Sequence, residues 1–183
     1  MVKKLFFTIT LLTTLIFSQA SHSDEIKIKD IYGNTTSAYG TKNGLIIEKA
    51  KGKIVLLEFW GTHCPPCMFS IPHYIEINKK YKDKVAMYAV EVQATPKEKL
   101  LDFVKQKGIN YNILTQKENS YFVNYIAHRS NWIGSIPFLI IFNQKGDVVN
   151  IKTGMVSQEY IENIIQYLTT KKDSQKESNK TKN

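Results

Sequence analysis

Hydrophobic and polar positions along this chain follow two periods, one typical of strands and one typical of helices. Three apolar runs rich in branched side chains predict strands buried on both faces, over residues 53–59, 84–92 and 138–142. The turn sequence NQKGD follows the third run and predicts a hairpin whose second strand covers 148–152. Residues 26–50 contain turn signals at Gly33 and Gly40, and they predict short strands that precede the main sheet.

Helical periodicity fills the segments between these strands. Apolar residues at helical spacing predict four helices, over 65–81, from 96 onward, over 119–127 and from 158 onward. Thr95 is the predicted N-cap of the second helix, Ser157 is the predicted N-cap of the fourth, and Pro72 is expected to kink the first. The order of elements predicts an α/β fold in which a mixed central sheet is flanked by helices.

The N-terminus has the three parts of a secretory signal peptide over residues 1–20. Lys3 and Lys4 precede an apolar stretch at 5–17, and small residues then occupy positions 18 and 20. We expect cleavage after Ala20; the alternative is an uncleaved membrane anchor, although the stretch is shorter than the ~20 residues of a membrane span. Either reading predicts a protein of the periplasm, where disulfides persist.

The C-terminal residues 170–183 are predicted to be a disordered basic tail. They carry five lysines against one aspartate and one glutamate, and they contain no apolar residue. The tail contributes to the net charge of +9, so that charge does not indicate a nucleic-acid partner, and secretion argues further against one. Residues 21–169 have the length of a single domain, without repeats, and we expect a monomer.

The only two cysteines, Cys64 and Cys67, lie in the segment EFWGTHCPPC, where a buried strand meets the start of a helix. Cys64 is the predicted N-cap, and the helix N-terminus favours a thiolate there. A structural zinc site needs four ligands, and a disulfide across so short a loop would restrain the unfolded chain little. We therefore favour a redox-active dithiol over a metal clip or an inert bridge, and we expect no metal or other cofactor.

The segment KGKIVLLEFWGTHCPPCMFSIP resembles the thioredoxin superfamily, and within it the TlpA/ResA-like thiol–disulfide oxidoreductases that act outside the cytoplasm. The core FWGTxCxPC is its most specific part. The segment GSIPFLIIFNQKGDVV is similar to the family's cis-proline segment, which would place Ile136 and Pro137 beside the dithiol. The resemblance implies a thioredoxin-like domain over 21–169, with an N-terminal extension at 26–52 and a central insert around 93–130.

The resemblance also implies roles in catalysis for three residues. Cys64 would be the exposed nucleophile that attacks a substrate disulfide, and Cys67 would resolve the mixed disulfide. Glu58 lies inside an apolar strand, where burial would raise its pKa and suit it to accept the Cys67 proton. The alternative is a glutamate at a strand end that reaches solvent. The family's thioredoxins carry an acid at the matching position.

Four further residues are predicted to bind substrate. Pro137, if cis, would let the backbone at Ile136 pair with an extended substrate chain. Trp60 and His63 complete the set, although Trp60 is expected to pack beside the site rather than react. A protonated His63 would favour the Cys64 thiolate, whereas the two prolines between the cysteines lack N–H groups to hold it. These two influences on the Cys64 thiolate oppose each other.

The resemblance implies a reductase of secreted protein disulfides that a membrane thiol-reducing electron donor recharges. Apocytochrome c is the implied client during cytochrome c maturation. A general disulfide oxidant or isomerase is the first alternative, and a copper metallochaperone for oxidase assembly is the second. The copper-binding branch resembles a CxxxC with a distal histidine; this chain has CxxC, and His73 and His128 are interpreted as surface or satisfied histidines.

Overall fold

A computed structural model describes residues 25–180, and side chains within 25–170. The predicted signal peptide lies outside the described residues. The strands are β1 (Glu25–Lys29), β2 (Thr35–Thr41), β3 (Gly44–Ile47), β4 (Ile54–Trp60), β5 (Val85–Glu91), β6 (Asn112–Thr115), β7 (Phe138–Phe142) and β8 (Val148–Thr153). The helices are α1 (Pro65–Lys80), α2 (Lys97–Lys107), α3 (Ser120–Ser130) and α4 (Gln158–Lys180), with a 3₁₀ turn at Glu48–Ala50.

A five-stranded mixed sheet in the order β6-β5-β4-β7-β8 forms the centre of the fold. Strand β4 lies in the middle, parallel to β5 and antiparallel to β7. All seven of its residues are buried, which explains why its sequence is an almost continuous apolar run. The predicted α/β fold with a mixed sheet is confirmed.

Two hydrophobic cores cover the two faces of this sheet. Helices α1, α2 and α4 pack on one face, against Leu56 and Trp60 of β4. Helix α3 and a separate three-stranded sheet, β1-β2-β3, cover the other face, against Leu57 and Phe59. Because side chains alternate along a strand, Glu58 lies on the face that α1 covers.

Three local features differ from the sequence-based expectations. Strand β6 was not predicted, since its four residues, NILT, carry too short an apolar pattern. Thr95 does not cap α2, because its hydroxyl donates to Glu91 instead and the helix begins at Lys97. Helix α4 continues to Lys180, through most of the segment predicted to be disordered. No glycine or proline interrupts it there, and lysine, glutamine and glutamate have favourable helix propensity.

Other predicted details are confirmed. Ser157 caps α4, since its hydroxyl accepts the N–H of Tyr160 at 3.2 Å. Pro72 lies inside α1, where the kink expected from it stays a prediction, and the hairpin after β7 leads into β8. Across residues 25–180, no helix combines the length and the apolar character needed to cross a membrane.

The small sheet is joined to the central sheet by a close contact between two turns. The N–H of Leu45 donates to the carbonyl of Gly146 at 2.8 Å, and the N–H of Val148 donates to the carbonyl of Asn43 at 3.0 Å. Gly146 has a φ of 84°, and a Cβ on it would lie 2.5 Å from the Leu45 carbonyl oxygen. Only glycine allows both this backbone conformation and this approach.

We expect Gly146→Ala to lower the free energy of unfolding by about 2–4 kcal/mol, from left-handed strain and from overlap with Leu45. Gly33→Ala is a matched control, because Gly33 has a φ of 92° and no atom within 4 Å of its added Cβ. The control should lose only the ~1–2 kcal/mol of backbone strain. Urea denaturation measures both losses, and equal losses would show that the overlap with Leu45 has no cost in stability.

Candidate active site

The two cysteines lie where β4 gives way to α1. Cys64 has extended backbone angles and is the N-cap of α1, and Pro65 occupies the first helical position, both as predicted. The Cys64 Sγ accepts the backbone N–H of Cys67 at 3.3 Å. A sulfur at this position lies at the positive end of the helix dipole, which stabilises a thiolate in the reduced form.

Cys64 and Cys67 form a disulfide, with the two Sγ atoms 2.08 Å apart and the Cα atoms 5.2 Å apart. Cys64 is 5% exposed and Cys67 is 1% exposed. The exposed nucleophile expected from the sequence is therefore nearly covered in the oxidised form, although Cys64 remains the more accessible sulfur. The difference arises because Cys64 precedes the helix, whereas Cys67 lies in its first turn and faces the core.

Glu58 lies in strand β4 and is buried, with 3% of its surface exposed. Its Oε1 has no hydrogen-bond partner among the described residues. Burial raises the pKa of Glu58 to about 8, and a hydrogen bond from Tyr74 lowers it in part. The prediction of a raised pKa is confirmed, and the alternative of a glutamate that reaches solvent is wrong.

Two tyrosines beside Glu58 were missed by sequence reasoning. Tyr74 on α1 and Tyr111 before β6 meet edge to face, with ring centroids 6.2 Å apart. Burial raises the pKa of both phenols, and the charge of Glu58 adds to this effect. For Tyr74 a signal was present, because it follows Cys67 by two helical turns and so lies on the same helix face. Tyr111 had no local signal.

The Ile136–Pro137 peptide bond is cis, as the resemblance implied. Phe138 pairs with Phe59, so Pro137 lies at the sheet end where β4 leads to the cysteines. The loop before it is braced by Trp132, whose Nε1 donates to the Ser135 carbonyl at 2.7 Å. Ile136 is half-buried and packs against both cores.

Trp60 is only 2% exposed and packs against Phe103, with ring centroids 5.7 Å apart. So deeply buried an indole has almost no surface for a substrate, which corrects its predicted place among the substrate-binding residues. The expectation that it packs beside the site agrees with this position. His128 is exposed on α3 as expected, whereas the buried Nδ1 of His73 has no partner among the described residues and is not satisfied.

His63 is exposed directly before Cys64. The backbone N–H of His63 donates to the Gln93 Oε1 at 2.8 Å, and the ring Nδ1 lies 3.0 Å from the Thr62 hydroxyl oxygen. Thr62 and Gln93 were missed by sequence reasoning. They follow the parallel strands β4 and β5, whose carboxyl ends meet at one sheet edge, and that placement was a usable signal.

This chain is similar to known proteins in sequence and in fold. The model of the AhpC/TSA family matches residues 27–151. The thiol-disulfide oxidoreductase ResA of Bacillus cereus is 30% identical over 127 residues, which is 67% of this chain and 68% of that protein. The thioredoxin-like protein YneN of Bacillus subtilis is 30% identical over 125 residues, with the same shares. ResA of Halalkalibacterium halodurans is 28% identical over 123 residues, 67% of this chain and 66% of that protein.

Solved structures share the fold at lower identity. The crystal structure of StoA from Bacillus subtilis has a TM-score of 0.58 and 22% identity, and the match covers 76% of this chain and 95% of that one. The solution structure of a putative thioredoxin from Neisseria meningitidis has a TM-score of 0.64 and 18% identity, over 83% of this chain and 92% of that one. The predicted thioredoxin-like fold is confirmed.

Proposed function

This chain is a ResA-like thiol–disulfide oxidoreductase of the AhpC/TSA family, and from this premise we propose that it reduces disulfides of secreted proteins. The Cys64–Cys67 disulfide at the start of α1 is the observation that carries the proposal. Two sulfurs that can bond within one helical turn can take two electrons from a donor and give them to a substrate.

In the reduced protein, the Cys64 thiolate attacks one sulfur of the substrate disulfide. A Cys64–substrate disulfide forms, and the other substrate sulfur leaves as a thiolate. Cys67 then loses its proton and attacks the Cys64 Sγ, which releases the second substrate thiolate and forms the Cys64–Cys67 disulfide. A thiol-reducing donor in the membrane would return two electrons, and uptake of one proton by Cys67 would restore the starting thiolate and thiol.

The carboxylate form of Glu58, whose population grows as pH rises towards the pKa of about 8, is the proposed acceptor of the Cys67 proton, directly or through a water. Its pKa of about 8 lies close to the ~8.5 of an ordinary thiol, so a proton passes between the two groups at little cost in free energy. Tyr74 holds the carboxyl by a hydrogen bond on the sheet face that α1 and Cys67 cover.

The substrate side of the proposal rests on the surface around Cys64. Pro137, with Ile136 before it, lies at the same sheet end and would present its backbone to an extended substrate chain. His63 lies directly before the nucleophile and its side chain is exposed. We place the protein in the periplasm, exported by residues 1–20, with apocytochrome c as the client. The similarity to proteins named ResA supports this choice.

A reductase must release electrons readily, so we expect a reduction potential nearer the ~−270 mV of thioredoxin than the ~−120 mV of the strong periplasmic oxidant. Equilibration with glutathione or dithiothreitol buffers measures it. Deletion of the gene should lower holocytochrome c, and an added thiol reductant should restore it. A potential above about −180 mV, with normal cytochromes in the deletion strain, would contradict the reductase and favour an oxidant or isomerase.

A further inference from the structure

A second buried carboxyl, Glu91, ends strand β5 beside the site, and the reaction described above does not use it. Its Oε1 accepts the N–H of Gln93 at 2.9 Å and the hydroxyl of Thr95 at 2.9 Å. Its Oε2 accepts the N–H of Thr95 at 3.2 Å. Both oxygens therefore accept from backbone N–H groups, as the two oxygens of a carboxylate do.

Hydrogen bonds continue from Glu91 to the residue before the nucleophile. The Thr95 Oγ1 lies 2.7 Å from the Thr62 Oγ1, and the Thr62 Oγ1 lies 3.0 Å from the His63 Nδ1. We call these four side chains the Glu91 relay: Glu91, Thr95, Thr62 and His63. Thr62 and Thr95 are half-buried, and only His63 is exposed.

The direction of each hydrogen bond in the relay follows from proton counting. A carboxylate only accepts, and a hydroxyl has one proton to donate. Thr95 donates its proton to Glu91, so it must accept the proton of Thr62. Thr62 has then no proton left for His63, so it must accept one from Nδ1. We propose that the Glu91 relay fixes the proton of His63 on Nδ1, which makes Glu91 a positioning residue for His63.

The main chain of His63 is tied to the same carboxyl. Its N–H donates to the Gln93 Oε1, and the N–H of Gln93 donates to the Glu91 Oε1. A Cβ on Gly61 would overlap the Gln93 side chain, so glycine at this position allows the approach. Glu91 therefore orients both the backbone and the ring of His63.

The consequence lies at Nε2, the other ring nitrogen of His63. In the neutral ring it carries a lone pair rather than a proton. It can therefore accept a proton from the Cys64 thiol or a hydrogen bond from a substrate N–H, one residue from the nucleophile. This consequence rests on the proposed disulfide exchange, whereas the position of the proton does not.

Nuclear magnetic resonance of the ¹⁵N-labelled full chain tests the position of the proton. Long-range ¹H–¹⁵N correlations distinguish the two neutral tautomers at alkaline pH, and a His63→Gln sample identifies the His63 signals among the four histidines. The wild type and Thr62→Ser, which keeps the hydroxyl, should show a proton on Nδ1. Thr62→Val should lose that signature and carry the proton on Nε2. A wild-type proton on Nε2, or an unchanged tautomer in Thr62→Val, would overturn the proposal.

If Thr62→Val fails to fold, Thr95→Val breaks the Glu91 relay at a second position. Without Thr95, the Thr62 hydroxyl is free to donate to Nδ1, so the proton should again move to Nε2. The pH profile of Cys64 alkylation in the reduced protein reports whether His63 Nε2 accepts a proton from the Cys64 thiol. Thr62→Val should change this profile, and Thr62→Ser should have the wild-type profile. If the wild type shows no reductase activity, the measured tautomer of His63 is unaffected. The proposed function and the proposed relay can therefore be contradicted independently.

Discussion

Replacement of Cys64 by serine is expected to reduce dithiothreitol-driven reduction of insulin to the uncatalysed rate. The hydroxyl of serine is not ionised at neutral pH, so the attack on a substrate disulfide is lost. Cys67→Ser should keep this first attack and lose the second. It should accumulate as a mixed disulfide with its substrate, which non-reducing electrophoresis detects.

A separate measurement tests which cysteine is the nucleophile and which one resolves the mixed disulfide. In the reduced wild type, Cys64 should react faster with iodoacetamide than Cys67, because it caps the helix and is the more exposed of the two. Mass spectrometry of the alkylated peptides measures both rates. If Cys67 reacts faster, the roles of nucleophile and resolving cysteine are reversed. Trapping of apocytochrome c by Cys67→Ser would further support the proposed client.

Glu58→Gln should change the pH dependence of stability. The folded carboxyl keeps its proton up to about pH 8, whereas the unfolded carboxyl loses it near 4.5. The unfolded state therefore binds fewer protons in this window, and the free energy of unfolding falls by ~1.4 kcal/mol per pH unit as pH rises. At pH 7 the wild type has lost ~3 kcal/mol by this route, and the glutamine variant should not show this loss.

Urea denaturation at several pH values between 4.5 and 8 measures this difference. Tyr74→Phe is a matched control, since it removes only the hydroxyl whose hydrogen bond lowers the pKa of Glu58. It should raise that pKa further and extend the pH-dependent loss of stability to higher pH. A wild type and a Glu58→Gln variant with the same pH slope would show that Glu58 is not protonated by burial.

The same substitution should slow catalysis at one step. Glu58→Gln cannot accept the Cys67 proton, so resolution of the mixed disulfide should slow more than its formation. Stopped-flow measurements with a model disulfide separate the two steps. Equal rates for the variant and the wild type across neutral pH would remove Glu58 from the mechanism and leave the buried carboxyl a structural role.

The elements that were predicted correctly are those whose own residues carry a complete pattern. Strands β4, β5 and β7 are apolar along nearly their whole length because both sheet faces are covered. Strand β6 is only four residues long and half of it is exposed or partly so, and therefore it has no such pattern. The start of α2 was predicted at Thr95, since a local rule for N-caps cannot include the competing bond to Glu91.

Local patterns along the chain were enough to predict the dithiol, its position at a strand–helix junction and the buried acid Glu58. Each of these depends on neighbours in the chain: a spacing of three, a helix start and an apolar strand. The packing of distant segments sets how far Cys64 is covered and which groups face Glu58. It also brings together the residues of the relay from Glu91 to His63. Those features are set by hydrogen bonds and packing between β4, β5 and α1, whose residues are distant in sequence and meet only in the folded sheet.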